Sequence, residues 1–168
     1  ADALNCQQKT AEIIVSEKAD YFLDAKANQQ TLETEIAEYV KDEKLRDSMD
    51  QVRVVEKNRE RIEIRTAYTT SDIAWLYREE KWKNLNCIGA IKKEVEADGT
   101  RTEEWHYYIS SRKLSAAELL HHARMEWAVE SMHWLLDVHY SEDYCRIANK
   151  TAQQNLNLLR KFALSLLK

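Results

Sequence analysis

Carboxylate and imidazole side chains recur at helical spacing between residues 115 and 140. At about 100° per residue, five of them fall within an arc of roughly 80°: His122, Glu126, Glu130, His133 and Asp137. Most of the remaining circumference is apolar, so the pattern predicts a mostly buried helix over 115–140 with a narrow acidic seam. Buried carboxylates need a metal ion, another cation or a proton. The seam therefore indicates either a metal-binding site or a thin strip of solvent exposure between packed neighbours.

The same helix carries two Glu-x-x-His motifs, which is the spacing found in di-iron helical bundles. The motifs are Glu118–His121 and Glu130–His133. A di-iron bundle places its two motifs on different helices that face each other. Here both motifs lie on one helix, on different sides of its axis, and we reject the di-iron interpretation.

Other signals predict the elements that position the seam. Ser115 and Glu118 have capping-box spacing, which places the start of the seam helix at 115. Asp98-Gly99 is a strong hairpin signal. Hydrophobic spacing predicts the rest: helices over 6–17, 31–44, 71–77 and 147–167, and strands over 20–25, 52–55, 61–68, 86–97 and 100–110. This order predicts one α/β domain over residues 1–168.

The composition is that of a globular protein. Its 168 residues are 44% hydrophobic and 32% charged, which suits one domain with a core. Two glycines and no proline exclude a glycine loop that cradles phosphate. No apolar run is long enough to span a membrane. The three cysteines match neither a disulfide framework nor a Cys-x-x-Cys motif, so we expect small core residues and a cytoplasmic protein.

Charge is distributed unevenly along the chain. The formal net charge of −4 argues against a protein that coats nucleic acid generally. From residue 144 onward there are nevertheless five basic residues and no acidic one: Arg146, Lys150, Arg160, Lys161 and Lys168. These cations either contact phosphate or simply favour the dipole of the last helix.

Five blocks of sequence occur together in a recognisable order. They are DALNCQ (2–7), DYFLDAKANQ (20–29), RIEIR (61–65), WAVESMHWLLDV (127–138) and EDYCR (142–146). In type and order these blocks resemble the DDE transposases of bacterial insertion sequences, specifically the H-repeat-associated branch. The similarity extends over essentially the whole chain, which makes it more specific than any single block.

The resemblance implies an RNase H-like fold in which three acidic residues hold two divalent ions, Mg²⁺ or Mn²⁺. Asp2 would be the second acid and Glu130 the third, while Glu126, His133 and Asp137 would be polar groups around them. Residues 51–110 would be a β-strand insertion between the two acids. Carboxylate oxygens are the ligands that two such ions need during phosphoryl transfer.

The chain departs from the family pattern at a few positions. The first acid of the family would lie upstream of Asp2, so we expect an N-terminally truncated catalytic domain. Ala27 replaces a glycine, Ser131 an asparagine, and Glu126 a histidine. None of these three replacements removes an expected metal ligand.

Two functional hypotheses follow. The first is a fragment of a transposase catalytic domain whose complete form cuts and joins the DNA ends of an insertion sequence, as a homo-oligomer on DNA in the bacterial cytoplasm. Lys26 and Arg124 are weaker candidates for contact with DNA phosphate, and Arg124, about 120° from Glu130 around the helix, could equally form a structural salt bridge. The second is a non-catalytic remnant that at most binds DNA or a full-length partner. An upstream reading frame that encodes the first acid would favour the first hypothesis.

Overall fold

The computed structural model describes residues 6–58, 61–77, 79–141 and 144–166, without the side chains of Ala27, Asn58 and Glu130. Asp2, which the resemblance implies as a metal ligand, lies outside these residues. The chain divides into two compact units, one ending at Ala123 and one beginning at Arg124.

A five-stranded antiparallel sheet forms the centre of the first unit. Its strands are β1 (Phe22–Ala25), β2 (Asp50–Asn58), β3 (Arg61–Thr70), β4 (Cys87–Ala97) and β5 (Thr100–Ser110), in the order β1-β5-β4-β3-β2. Each predicted strand is present, and the α/β class is confirmed. Strands β2 to β5 occupy the region predicted as an insertion. That they interrupt an RNase H-like fold stays a prediction.

The β4–β5 hairpin confirms its sequence signal. Asp98 has φ +51° and Gly99 has φ +73°, and both positive values are those of a type I′ turn. The register continues without interruption from Ala97↔Thr100 to Cys87↔Ser110. A two-residue turn whose twist matches that of its strands therefore aligns eleven residues on each side.

Five α-helices accompany the sheet among the described residues: α1 (Gln8–Ser16), α2 (Gln30–Lys41), α3 (Glu43–Asp47), α4 (Ala116–Tyr140) and α5 (Lys150–Leu166). The single helix predicted over 31–44 is two helices. Asp42 interrupts it with an extended ψ of 115°. Its carboxylate accepts hydrogen bonds from the backbone N–H groups of Lys44 and Leu45, at 2.9 and 3.2 Å, and so caps α3.

The short helix predicted over 71–77 is wrong, because these residues form bends and turns. The Trp75 indole N–H donates to the carbonyl oxygen of Asp72 at 2.8 Å. The Trp75 ring stacks on Tyr39 of α2, with centroids 4.2 Å apart. The apolar residues of this segment pack against α2 from an irregular backbone, so tertiary contact overrides their helical spacing.

The main core lies on one face of the sheet. Leu32, Ile36 and Val40 of α2 are buried in the same cluster as residues of the three strands β1, β4 and β5: Leu23, Ala25, Ile88, Ala90 and Ile109. Cys6 is also part of this core, and Cys87 is buried, as expected for small core cysteines. Cys145 is half-buried.

The first two turns of α4 cross the opposite face of the sheet. The backbone N–H of Ala116 donates to the Asp50 carboxylate on β2 at 2.8 Å. Leu119 lies against Gly89 on β4, and the His122 ring lies 5.8 Å from the Phe22 ring on β1, measured between centroids. The helix therefore passes from one edge strand of the described sheet to the other.

The second unit shows that the seam helix is not mostly buried, contrary to our expectation. Met125, Val129, Trp134 and Val138 are each about half exposed, and Leu136 is buried. A helix that is apolar on most sides needs neighbours on most sides. After Ala123, the described residues contain one further helix, α5. No helix in the described part of the chain is long and apolar enough to cross a membrane.

Candidate functional site

A capping box fixes the start of the helix that carries the seam. The backbone N–H of Ser115 donates to the Glu118 carboxylate at 2.9 Å, and the N–H of Glu118 donates back to the Ser115 hydroxyl at 3.3 Å. The hydrogen bonds that the backbone N–H and the hydroxyl group of Ser115 donate to the carboxylate lower the pKa of Glu118. The predicted helix start is confirmed, which places Glu130 about four turns along α4.

The seam residues differ in their exposure. His122 and Glu126 are half-buried, whereas His133 and Asp137 are exposed. Glu130 belongs to α4, but its side chain lies outside what the structure describes. A shared site for these five residues stays a prediction.

Two motif blocks that are distant in the sequence contact each other at Cys6. The carbonyl oxygen of Cys6 accepts hydrogen bonds from the side-chain amides of Asn28, at 3.2 Å, and Gln29, at 2.9 Å. Asn28 and Gln29 thus fix the backbone four residues after Asp2. The sequence analysis assigned no role to these amides, although both stand in a block shared with the family.

Cys6 itself is unsuited to hold a metal ion. Burial, and then the negative charge of Asp24, raises the pKa of its thiol to about 12. The ligating form of cysteine is the thiolate, so Cys6 stays a neutral core side chain at physiological pH.

Lys26, a candidate for phosphate contact, lies in an ion pair. Its ammonium nitrogen is 2.7 Å from an Asp24 carboxylate oxygen, and 48% of the Lys26 side chain is exposed. Asp24 is almost completely buried, since only 4% of it is exposed. The other Asp24 oxygen, Oδ1, has no hydrogen-bond partner among the described residues. Arg124, the second candidate, is exposed.

A histidine that the sequence analysis missed lies in the same electrostatic environment. Burial lowers the pKa of His106. The charges of Glu104 and Asp24 oppose that shift, and those of Lys26 and Lys93 add to it. The His106 imidazole nitrogen is 3.5 Å from the Glu104 carboxylate. Because side chains alternate between the two faces of a strand, the sequence could have predicted that His106 shares a face of β5 with Tyr108. It could not have predicted that the charge of Asp24, on another strand, would act on His106.

The described side chains include no group of three or more His, Cys, Asp or Glu residues arranged to hold a metal ion. The predicted ligands Asp2 and Glu130 are not among those side chains. Their assignment as ligands of Mg²⁺ or Mn²⁺ therefore stays a prediction. Its chemical basis is that these ions favour carboxylate oxygens.

Comparison with known proteins gives relatives over nearly the whole chain. The protein named "Putative transposase YncI" of Escherichia coli O157:H7 is 32% identical over 176 aligned residues, which cover 99% of this chain and 44% of that protein. "Putative protein YbfL" and "H repeat-associated putative transposase YhhI" of Escherichia coli K12 are each 30% identical, over 99% of this chain and 46% of their own length.

The chain thus spans less than half the length of these relatives. No family model and no solved structure matches it. Over nearly its whole length the chain is therefore similar to proteins named as transposases, one of which is named as H repeat-associated.

Proposed function

We propose that this chain is part of the catalytic domain of a transposase and that the complete protein cuts and joins the DNA ends of an insertion sequence. The observation that carries the proposal is the alignment of 99% of the chain with proteins named as transposases. The block that contains Asp2 lies at the start of the chain, and the block that contains Glu130 lies in its last third.

The first structural support comes from the neighbourhood of β1. Among the described residues β1 pairs only with β5, so its other edge is the place where a further strand would pair. The Asn28 and Gln29 amides hold the backbone of Cys6, which follows Asp2 by four residues in the sequence. We propose that a further strand of the complete protein pairs at this edge of β1.

The second support comes from the sequence blocks themselves. Asp2 and Glu130 stand in two of the five blocks that resemble the family in type and order. We therefore propose that Glu130 acts together with Asp2.

Asp2 and Glu130 would hold the two divalent ions through their carboxylates. When bound, such ions activate water or a 3′-hydroxyl group and stabilise the leaving oxygen in phosphoryl transfer. Glu126, His133 and Asp137 would hydrogen-bond the ligands or the water around them. Lys26 and Arg124 would contact DNA phosphates, and Lys26 would then share its ammonium group between Asp24 and the phosphate.

The test is DNA cleavage by the protein that the whole source reading frame encodes. With Mg²⁺ or Mn²⁺ it should cut DNA that carries its element ends. Glu130→Gln should abolish cutting and leave DNA binding largely intact, because the amide keeps the shape and loses the anionic ligand. The exposed Glu12 of α1 offers the matched control, and Glu12→Gln should retain activity.

The 168-residue chain alone should not cut the same DNA, because the site would lack one of its three acids. Metal-dependent cutting that survives Glu130→Gln would refute the site. DNA binding without cutting by the whole reading-frame product would instead support the non-catalytic alternative.

A further inference from the structure

Asp24 is a buried carboxylate that its surroundings satisfy only in part. Its Oδ2 oxygen lies 2.7 Å from the Lys26 ammonium nitrogen, while Oδ1 is buried without a hydrogen-bond partner among the described residues. An ion pair offsets the cost of burying a carboxylate only when further hydrogen bonds satisfy the remaining oxygen. The stability of the fold therefore does not explain why a carboxylate occupies this position.

The backbone at Lys26 is fixed on both sides of the residue. Strand β1, which ends directly before it, pairs with β5. A short 3₁₀ helix (Ala27–Gln29) follows directly after it, and two side-chain amides of this helix donate to the carbonyl oxygen of Cys6. The fold thus sets the position of the Lys26 backbone, so the remaining freedom of this residue lies in its long side chain.

The ion pair with Asp24 restricts that side chain. Residues two positions apart in a strand point to the same side, and the contact between Asp24 and Lys26 shows this alternation at the end of β1. A lysine side chain that is held in one orientation loses rotamer entropy. Because Asp24 holds Lys26 in the folded protein, this entropy is lost on folding and not on binding a ligand.

The exposure of the two groups differs in the sense that binding of an anion requires. The Lys26 side chain is 48% exposed and the Asp24 side chain 6%. A phosphate group that approaches from solvent therefore meets the cation and is shielded from the anion. An ammonium group has three N–H donors, so Lys26 is able to donate to a phosphate oxygen and to Asp24 at the same time.

We propose that Asp24 is a positioning residue, whose buried carboxylate holds the Lys26 ammonium group in the orientation in which it contacts a phosphate of bound DNA. The inference rests on the proposed function and assigns Asp24 no contact with DNA or with a metal ion. Since Asp24 balances the charge of Lys26, the pair adds little net charge to the surface. Its effect should therefore fall on the placement of the bound DNA more than on affinity.

The experiment uses the protein that the whole source reading frame encodes and DNA that carries its element ends. It measures DNA affinity without metal and the single-turnover rate at which fully bound DNA is cut with Mg²⁺. Asp24→Asn keeps the shape of the side chain and the charge of Lys26. Affinity should not fall, because the protein loses one negative charge, whereas cutting should slow by about tenfold or more, because the bound phosphate is misplaced.

Lys26→Met tests whether Asp24 acts through the lysine. Alone it should also slow cutting, but added to Asp24→Asn it should cause little further loss, because the ammonium group is already without its anchor. The double variant leaves no buried charge without a partner. The comparison of the double variant with Asp24→Asn therefore holds even where Lys26→Met alone does not fold.

Glu103→Gln is the matched control. The Glu103 carboxylate on β5 lies 2.9 Å from the Lys92 ammonium nitrogen on β4, so this substitution also neutralises a carboxylate that pairs with a lysine. It should cut DNA at the wild-type rate. An equal loss of rate in Glu103→Gln and Asp24→Asn would overturn the proposal, because overall charge would then explain both.

Three further results separate the possible failures. Cutting by Asp24→Asn at the wild-type rate would overturn the proposal, as would a large further loss on adding Lys26→Met. An Asp24→Asn variant that is unfolded at the assay temperature, as measured by circular dichroism, would assign the carboxylate a structural role and overturn it as well. A wild type that binds the DNA without cutting would refute the proposed function, and the role of Asp24 with it.

Discussion

Asp24 and Lys26 form an unequal ion pair at the end of β1. The carboxylate is almost completely buried, while about half of the lysine side chain reaches solvent. A buried charge that loses its partner is costly, whereas a half-exposed ammonium can be hydrated. The two residues should therefore respond differently to substitution.

Lys26→Met should destabilise the fold by about 1–3 kcal/mol, because it leaves the buried Asp24 carboxylate without its cation. Adding Asp24→Asn should recover most of that loss, since the buried group is then neutral. Chemical denaturation of the two single variants and the double variant measures this coupling. Additive effects of the two substitutions would contradict it.

The burial of His106 predicts a pH dependence of stability. Its pKa is lowered in the folded protein from the ordinary value of 6.5. Between the lowered pKa of the folded protein and the ordinary pKa of the unfolded chain, only the unfolded chain binds the proton at His106. The free energy of unfolding therefore rises with pH across that window, and the contribution of neutral His106 is fully present above about 6.5. Protonation at lower pH favours unfolding.

His106→Gln should flatten the pH dependence of the unfolding free energy in this window. Denaturant titrations from about pH 5 to about pH 8 measure the difference between wild type and variant. Contributions of carboxylates that are common to both proteins cancel in that difference. An unchanged slope would show that burial of His106 does not set its protonation.

At the scale of elements, the sequence predicted those whose signals are local. The hairpin followed from Asp98-Gly99, and the start of α4 followed from Ser115 and Glu118, because turn geometry and helix capping involve residues a few positions apart. The helix predicted over 71–77 was wrong, because the contact of Trp75 with Tyr39 joins distant parts of the chain. Periodicity detects an apolar face but not the partner that covers it.

The packing of α4 on the sheet depends on a glycine without a side chain. A Cβ atom at Gly89 would lie 2.7 and 2.9 Å from the two methyl carbons of Leu119, which is buried. Gly99 has nothing within 4 Å of such an atom, but its φ is +73°. The two glycines of the chain are thus needed for different reasons, one steric and one conformational.

Gly89→Ala should destabilise the protein by about 1–3 kcal/mol through overpacking against Leu119. Gly89→Ala with Leu119→Ala should be less destabilised than the sum of the two single variants, because the smaller residue at 119 makes room. Gly99→Ala should cost about 1 kcal/mol through its backbone alone, and Leu119→Ala should not change that cost. Equal coupling of both glycines to Leu119 would refute the steric explanation.

At the scale of the whole molecule, the sequence indicated the family better than it indicated the site. The motif blocks and their order led to the relatives, and the contact of Cys6 with Asn28 and Gln29 shows two of these blocks in physical contact. The expectation that α4 is mostly buried was wrong. The residue pattern of a helix indicates how much of its surface is apolar, but it does not indicate whether other parts of the chain pack against that surface. Asp2 and the Glu130 side chain lie outside the described residues, so their joint site stays a prediction.

The position of the basic C-terminal residues favours contact with phosphate over interaction with the helix dipole. Lys150 is the first residue of α5, where the positive end of the helix dipole disfavours a cation. The dipole explanation therefore does not account for Lys150. Arg146 and Lys150 are both exposed, as phosphate contacts need to be.

If the protein binds DNA as proposed, Arg146→Gln with Lys150→Gln should weaken binding similarly for all DNA sequences, because contacts with phosphate carry little sequence information. The slope of log binding constant against log salt should become less steep by about 0.9 for each phosphate that the variant no longer neutralises. Fluorescence anisotropy at several salt concentrations measures both effects. Lys9→Gln, on the exposed side of α1, removes a positive charge elsewhere and should leave the slope unchanged. An equal change of slope in the Lys9 variant would mean that overall charge, rather than phosphate binding at the start of α5, governs the affinity for DNA.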